Sequence, residues 1–167
     1  VPPSPDAINP DPSFEQRETF WLVAHGESGS RWTSGQVWSG QTAVDLTNDG
    51  RRVALVMTNP RASQEMAIRP NSRYEVTFWA KCVSGEGEVL VNFYHGPAYD
   101  FRQERVAVPA DGEWHKLRAI VTTGDFPPIG EGANAFTRGR GIAPALRLWT
   151  INRAQKTFID QVEVRPL

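Results

Sequence analysis

Apolar and polar residues alternate one by one over much of this chain, and turn residues interrupt the alternation at short intervals. Period-two alternation is the pattern of a β-strand with one face on a core, because successive side chains point to opposite sides. In the run from Tyr74 to Lys81, Tyr74, Val76, Phe78 and Ala80 share one face, while Glu75, Thr77, Trp79 and Lys81 share the other. Val89, Val91 and Phe93 alternate in the same way with Leu90, Asn92 and Tyr94, and Leu146 and Leu148 with Arg147 and Trp149. The pattern predicts strands over Ala54–Met57, Arg73–Lys81, Glu88–Tyr94, Glu104–Val108, Trp114–Thr123, Ala145–Ile151 and Thr157–Val164. Turn chemistry separates them at Asn48-Asp49-Gly50, Pro70-Asn71, Ser84-Gly85-Glu86-Gly87 and Pro109-Ala110-Asp111-Gly112. The run Pro12 to Gln16 (PSFEQ) reads as a further short strand, and no helical stripe stands out after Ser13. The expected class is therefore all-β, an antiparallel two-sheet β-sandwich.

Composition narrows the setting. At 167 residues the chain is long enough for one domain with a core of its own. The prolines gathered in residues 1–11 predict an extended linker or tail, leaving 12–167 as a single folded domain. Eighteen basic against nineteen acidic side chains give a net charge of −1, so no global field points to nucleic acid or an anionic membrane. The lone Cys82, inside a strand-like run, reads as a buried thiol, and no Cys/His cluster points to zinc. No apolar run has the length of a membrane helix, and the first residues lack the pattern of a signal peptide. The stretch Gly124 to Pro144 is the longest irregular segment; a loop of that length in a compact domain is functional or mobile.

The face opposite the core carries the candidate chemistry. In three strands an aromatic stands there among polar residues: Trp79, Tyr94 beside Asn92, and Trp149 beside Arg147. A sugar ring has an apolar C–H face and a rim of hydroxyls, so a surface for it needs aromatic planes and bidentate polar groups. Trp79, Tyr94 and Trp149 offer planes; Asn92, Arg147 and Gln103 offer hydrogen bonds. Trp32 and Trp38 lie in a Gly/Ser-rich stretch, where they would either widen such a platform or lid one end of the sandwich. Trp114, which opens a strand after a turn, reads as a core anchor.

The PSFEQ start, the YEVTFWAK strand, the EWHKL strand and the ALRLW…FIDQV ending stand in an order that resembles the jelly-roll carbohydrate-binding modules, the group of families 4, 9, 16 and 22. The resemblance runs from about Asn9 to Val164 and implies a jelly-roll sandwich that binds polysaccharide without cutting it. It also implies a structural Ca2+ held by Glu15 and Asp160, with backbone carbonyls of the early turn Asn48–Arg51, Asn48 and Gly50 among them, completing the site. Oxygen ligands of this kind suit Ca2+. Members of the group often carry two acids in the last motif, where this chain has Asp160 followed by Gln161.

The expected function is that of an accessory module, extracellular or on the cell surface, monomeric, tethered to a glycan-degrading enzyme whose substrate it holds. Affinity of such a surface is on the order of mM to µM. Arg102, Arg138, Arg140 and Arg147 raise an acidic or sulfated sugar as the ligand, since guanidinium forks match such groups. Two alternatives stay open. Jelly-roll lyases and glycosidases share such folds, and Asn92, Tyr94, His95, Tyr99 and Arg102 could furnish a lyase site, whereas Glu86 and Glu88 flank a glycine turn and read as solvated. A structural adhesion domain without a sugar site is the other.

Overall fold

The computed structural model describes residues 2–23, 30–50, 53–129, 141–151 and 153–167. Among the described residues there are eleven strands: β1 (Trp21–Val23), β2 (Arg31–Thr33), β3 (Ala43–Asp45), β4 (Asn48–Asp49), β5 (Ala54–Thr58), β6 (Arg73–Gly85), β7 (Glu88–Tyr94), β8 (Glu104–Ala107), β9 (His115–Thr122), β10 (Ala145–Thr150) and β11 (Ala154–Pro166). They form two antiparallel sheets, one in the order β1-β5-β10-β7-β8 and the other in the order β2-β3-β11-β6-β9, with β4 paired to the start of β11. The all-β sandwich expected from the alternation is the architecture found.

The inward set of each strand builds the core. Tyr74, Val76, Phe78 and Ala80 from β6 meet Val89, Val91 and Phe93 from β7 and Leu146 and Leu148 from β10 in one buried cluster. Burying these aliphatic and aromatic side chains contributes about 1.5–3 kcal/mol each. Cys82 is buried and free, as expected. Turn residues do the work their types imply: Gly50, Gly85, Gly112 and Asn71 all take positive φ.

Several elements depart from the sequence reading. Residues 12–16 form turns, with Phe14 at positive φ, instead of a first strand; the segment still meets the last strand through Val162 N–H donating to the Pro12 carbonyl at 2.8 Å. Residues 8–9 do not run free either: Ile8 N–H donates to Val164 O, and Asn9 exchanges side-chain bonds with Val162 O and Val164 N–H. A short helix, α1 (Pro60–Met66), follows β5, capped by the Asn59 carboxamide, which accepts from Ala62 N–H, and opened by Pro60 at its first position. Trp114 is half-buried and outside the core cluster, because the anchoring role falls to Trp21, wholly buried with its indole N–H on the Asp11 carbonyl. Of the long segment after Gly124, Phe126 and Ile142 pack into the core and Pro128 bridges Ile142. Arg138 and Arg140 lie outside the described residues.

Candidate functional site

Register decides what the outer faces display. On the five-stranded sheet Asn92 lies opposite Arg147, Leu90 opposite Trp149, and Tyr94 opposite Ala145. Arg147 thus stands between Tyr94 and Trp149 along the sheet, and its guanidinium carbon lies 4.3 Å from the centroid of the first ring and 4.1 Å from the second. Cation–π contacts of this kind contribute about 0.5–2 kcal/mol each, more as water is excluded. The head group is also hydrogen-bonded: Nε donates to Asn92 Oδ1 at 3.0 Å and Nη2 to Asp100 Oδ1 at 3.0 Å. Asn92, fully buried, donates in turn to Asp100 Oδ1 and to Phe101 O. Burial pulls the Arg147 guanidinium below its ordinary value, and the Asp100 charge works against that fall.

The cluster brings together four of the expected residues, Asn92, Tyr94, Arg147 and Trp149, and adds Asp100, which the sequence reading missed. Trp149 is buried at 8% exposure, its plane taken up by Arg147, and its indole N–H has no hydrogen-bond partner among the described residues. Tyr94 stays partly exposed, Gln103 is exposed one residue before β8, and Leu22 stands exposed on the edge strand β1.

Trp79 does not belong to this group. It lies on β6, on the outer face of the other sheet, opposite Asp160 of β11. Trp38 reaches it from the loop after β2 and stacks on it, with centroids 3.7 Å apart and planes 16° apart. Trp32 turns the other way: it packs on Phe14 and the core, its indole N–H on Glu18 Oε1, and so serves as the lid of the sandwich end.

The loop that carries Trp38 is held by the two carboxylates of the expected cation site. Asp160 Oδ2 accepts from Trp38 N–H and Ser39 N–H, each at 2.9 Å, and Oδ1 from Gln161 N–H at 2.7 Å. Glu15 Oε1 accepts from Gln41 N–H at 2.8 Å and Thr42 N–H at 3.3 Å. Asp160 is wholly buried, and burial pushes its carboxyl up to about 6 against the pull of the three N–H groups, the negative charge of Glu15 adding to the rise. Gln161, next to it in a bulge at positive φ, buries an Oε1 with no partner. Glu15 and Asp160 are near enough for one charge to act on the other, and carboxylates are the oxygen ligands a hard cation takes. Asn48 and Gly50 are not part of this place. Asn48 pairs with Gln155, five positions before Asp160 and so roughly 16 Å of strand away. Its side chain closes the local turn instead, donating to Thr150 O and accepting from Gly50 N–H.

Of the groups considered for catalysis, the acids and Arg102 are ion-paired, and His95 and Tyr99 lie together at the end of β7. Glu88 pairs with Arg105, Glu86 with Arg153 and Arg102 with Glu104, while His95 sits 6.4 Å from Tyr99 ring to ring.

Comparison with solved structures gives the frame for these two faces. A family 16 carbohydrate-binding module matches over 94% of this chain and 98% of its own, at TM-score 0.57 and 15% identity. The CBM22-1 xylan-binding domain of Xyn10C from Paenibacillus barcinonensis matches over 99% and 97%, at TM-score 0.57 and 14% identity. The fold is that of the jelly-roll carbohydrate-binding modules. A third match, at TM-score 0.61 and 9% identity, is the enzymatically active domain of a tailspike protein of bacteriophage CBA120; 97% of this chain aligns with 22% of that one. No protein-family model matches the sequence, and no curated protein matches it either.

Proposed function

We propose that this chain is a non-catalytic carbohydrate-binding module that holds a polysaccharide on the outer face of its five-stranded sheet and so keeps an attached glycan-degrading enzyme near its substrate. The observation that carries this reading is the Arg147 guanidinium seated on Tyr94 and Trp149 and fixed by Asn92 and Asp100. Such a surface is rigid before any ligand arrives, so binding loses little conformational freedom. The solved xylan-binding and galactotriose-bound modules of the same fold support the ligand class.

The ligand on this face is a neutral glycan. Arg147, the guanidinium of this cluster, is partly buried and already has a carboxylate partner in Asp100, which offsets its charge toward a uronate or sulfate. Glu15 and Asp160 hold a structural Ca2+ in this reading. The cation supplies the charge that lets Asp160 stay ionised while buried, and the setting is extracellular.

An affinity-gel screen against neutral and anionic polysaccharides, with and without chelator, tests the reading, with the same mixtures assayed for new reducing or unsaturated ends. Retardation by a neutral polysaccharide without new ends is expected, and Tyr94→Ala should weaken it about tenfold. New ends would favour the enzymatic reading that the tailspike match keeps in view. Preferential retardation by anionic chains would overturn the neutral assignment.

A further inference from the structure

Trp38 is 38% exposed although it is among the largest apolar side chains in the molecule. One face of its indole lies on Trp79, so the exposed area belongs to what that stack leaves open. An open aromatic plane beside hydrogen-bond donors offers the two elements that a sugar ring binds. Hydrogen-bond donors surround this one: Lys81 lies two residues along from Trp79 on the same face, and its Nζ donates to Gln36 Oε1 at 2.9 Å. That bond leaves the Gln36 amide N–H groups and the remaining ammonium protons for other acceptors. Lys116, exposed, is opposite Trp79 on β9.

The plane is also held in place. Asp160 takes the N–H groups of Trp38 and Ser39, and Glu15 those of Gln41 and Thr42. Between these anchors Gly40 adopts φ +70°, and a Cβ there would meet the Glu15 carboxylate. The loop is therefore pinned on both sides of a residue that only glycine fits well. An apolar plane, immobilised before binding and rimmed by hydroxyl-binding donors, has the chemistry that a pyranose ring requires.

We infer that the molecule carries a second glycan surface, built from Trp38 on Trp79 with Gln36, Lys81 and Lys116 at its rim, on the sheet opposite the Arg147 cluster. The inference rests on the reading of this chain as a glycan-binding module. With the two sheets packed back to back, the two surfaces face away from each other and engage different chains of a polysaccharide. Linking two weak sites in one body raises retention on a dense polysaccharide well beyond that of either site.

The test is a two-dimensional NMR titration that follows the indole N–H signals of Trp38 and Trp149 and the side-chain amide of Gln36. The probes are xylohexaose, β-1,4-galactotriose and a hexagalacturonate. At least one probe is expected to shift Trp38 and Gln36, with a midpoint unchanged by Tyr94→Ala. Trp38→Ala should abolish that response, leave the Trp149 response within twofold of wild type, and lower retention on insoluble polysaccharide five- to tenfold. The hexagalacturonate arm shows whether Lys81 and Lys116 favour a carboxylated sugar. Shifts at Trp38 that vanish with Tyr94→Ala would mean one continuous site and overturn the inference. A response at Trp149 with none at Trp38 would overturn it too, while leaving the proposed function standing. A response at Trp38 alone would remove the Arg147 face from the proposed function instead. No response at either face would end both.

Discussion

The two outer faces of this sandwich secure their aromatics by opposite means. On the five-stranded sheet everything comes from neighbouring strands: Arg147 is placed between Tyr94 and Trp149 by register, and Asn92 and Asp100 complete its hydrogen bonding. On the six-stranded sheet the exposed ring is borrowed from a loop, and Trp38 sits on Trp79 because Asp160 and Glu15 hold the backbone beneath it. A strand-borne cluster is as rigid as the sheet that carries it. A loop-borne platform is only as rigid as its anchors, and here one anchor, Asp160, is a buried carboxyl raised to about 6.

The sharpest way to separate the faces is therefore pH. Folding raises the Asp160 carboxyl from its ordinary 3.8 to about 6. The folded chain binds that proton more tightly than the unfolded chain, so this group favours the fold most below about pH 4, and the advantage is lost as pH rises through about 6. The difference is about 3 kcal/mol at roughly 1.4 kcal/mol per unit. In chelator, denaturation of wild type compared with Asp160→Asn should show equal stabilities near pH 4 and a gap of that order at pH 7. Millimolar Ca2+ at pH 7 should close the gap; failure to do so would remove the metal reading while leaving the buried acid in place.

The next largest effect belongs to the other face. Arg147→Ala removes two ring contacts, leaves Asn92 Oδ1 without its donor and takes one of two donors from Asp100 Oδ1, which keeps the Asn92 amide. Because Asp100 is partly exposed and can be rehydrated, the expected loss is about 2 kcal/mol, not the larger cost of a fully buried pair. Unlike the Asp160 effect, it should not respond to Ca2+. Gly40→Ala should lose about 1–2 kcal/mol from the positive φ and the displaced Glu15 carboxylate, and should weaken the Ca2+ response. The smallest change is expected from Trp38→Ala, about 1 kcal/mol for the lost stack, with glycan retention falling although the fold persists.

The central strands were legible because their alternation runs long enough to declare itself. Glu88–Tyr94 has the limits read from sequence, and the inward sets of β6, β7 and β10 all lie in the core. β1 to β4 have two or three residues each, too few for a period to register. The helix after β5 had a readable start in Asn59-Pro60, but its seven residues bury Ala62, Ser63 and Met66 without an apolar stripe of the usual length. The candidate site was legible only in part, for a related reason. Alternation tells which face a residue takes and not which sheet carries it, so Trp79 was grouped with Tyr94 and Trp149 although the sandwich lies between them. The Asn92–Arg147 pairing and the role of Asp100 depend on register between distant segments, which one sequence does not print. Asn48 and Gly50 were assigned by likeness of an early turn, and the pairing of Asn48 with Gln155 takes that turn to the other end of β11.

The bonds that join residues 8–12 to β11 carry a mechanical consequence. Ile8 is joined to Val164 and Pro12 to Val162, so the two segments run antiparallel, while β11 beyond Val164 stays paired to β6 through Arg165 and Pro166. Tension on the chain before Ile8 loads the Ser4–Glu163 and Ile8–Val164 bonds before the Pro12–Val162 bond, as a zip fastener opens. Such a seam yields at low force, one bond at a time, and lengthens the chain by several residues before the sheets feel the load. If a polysaccharide held at the surface were pulled against a neighbouring domain, the seam would stretch first and the sandwich would keep its grip.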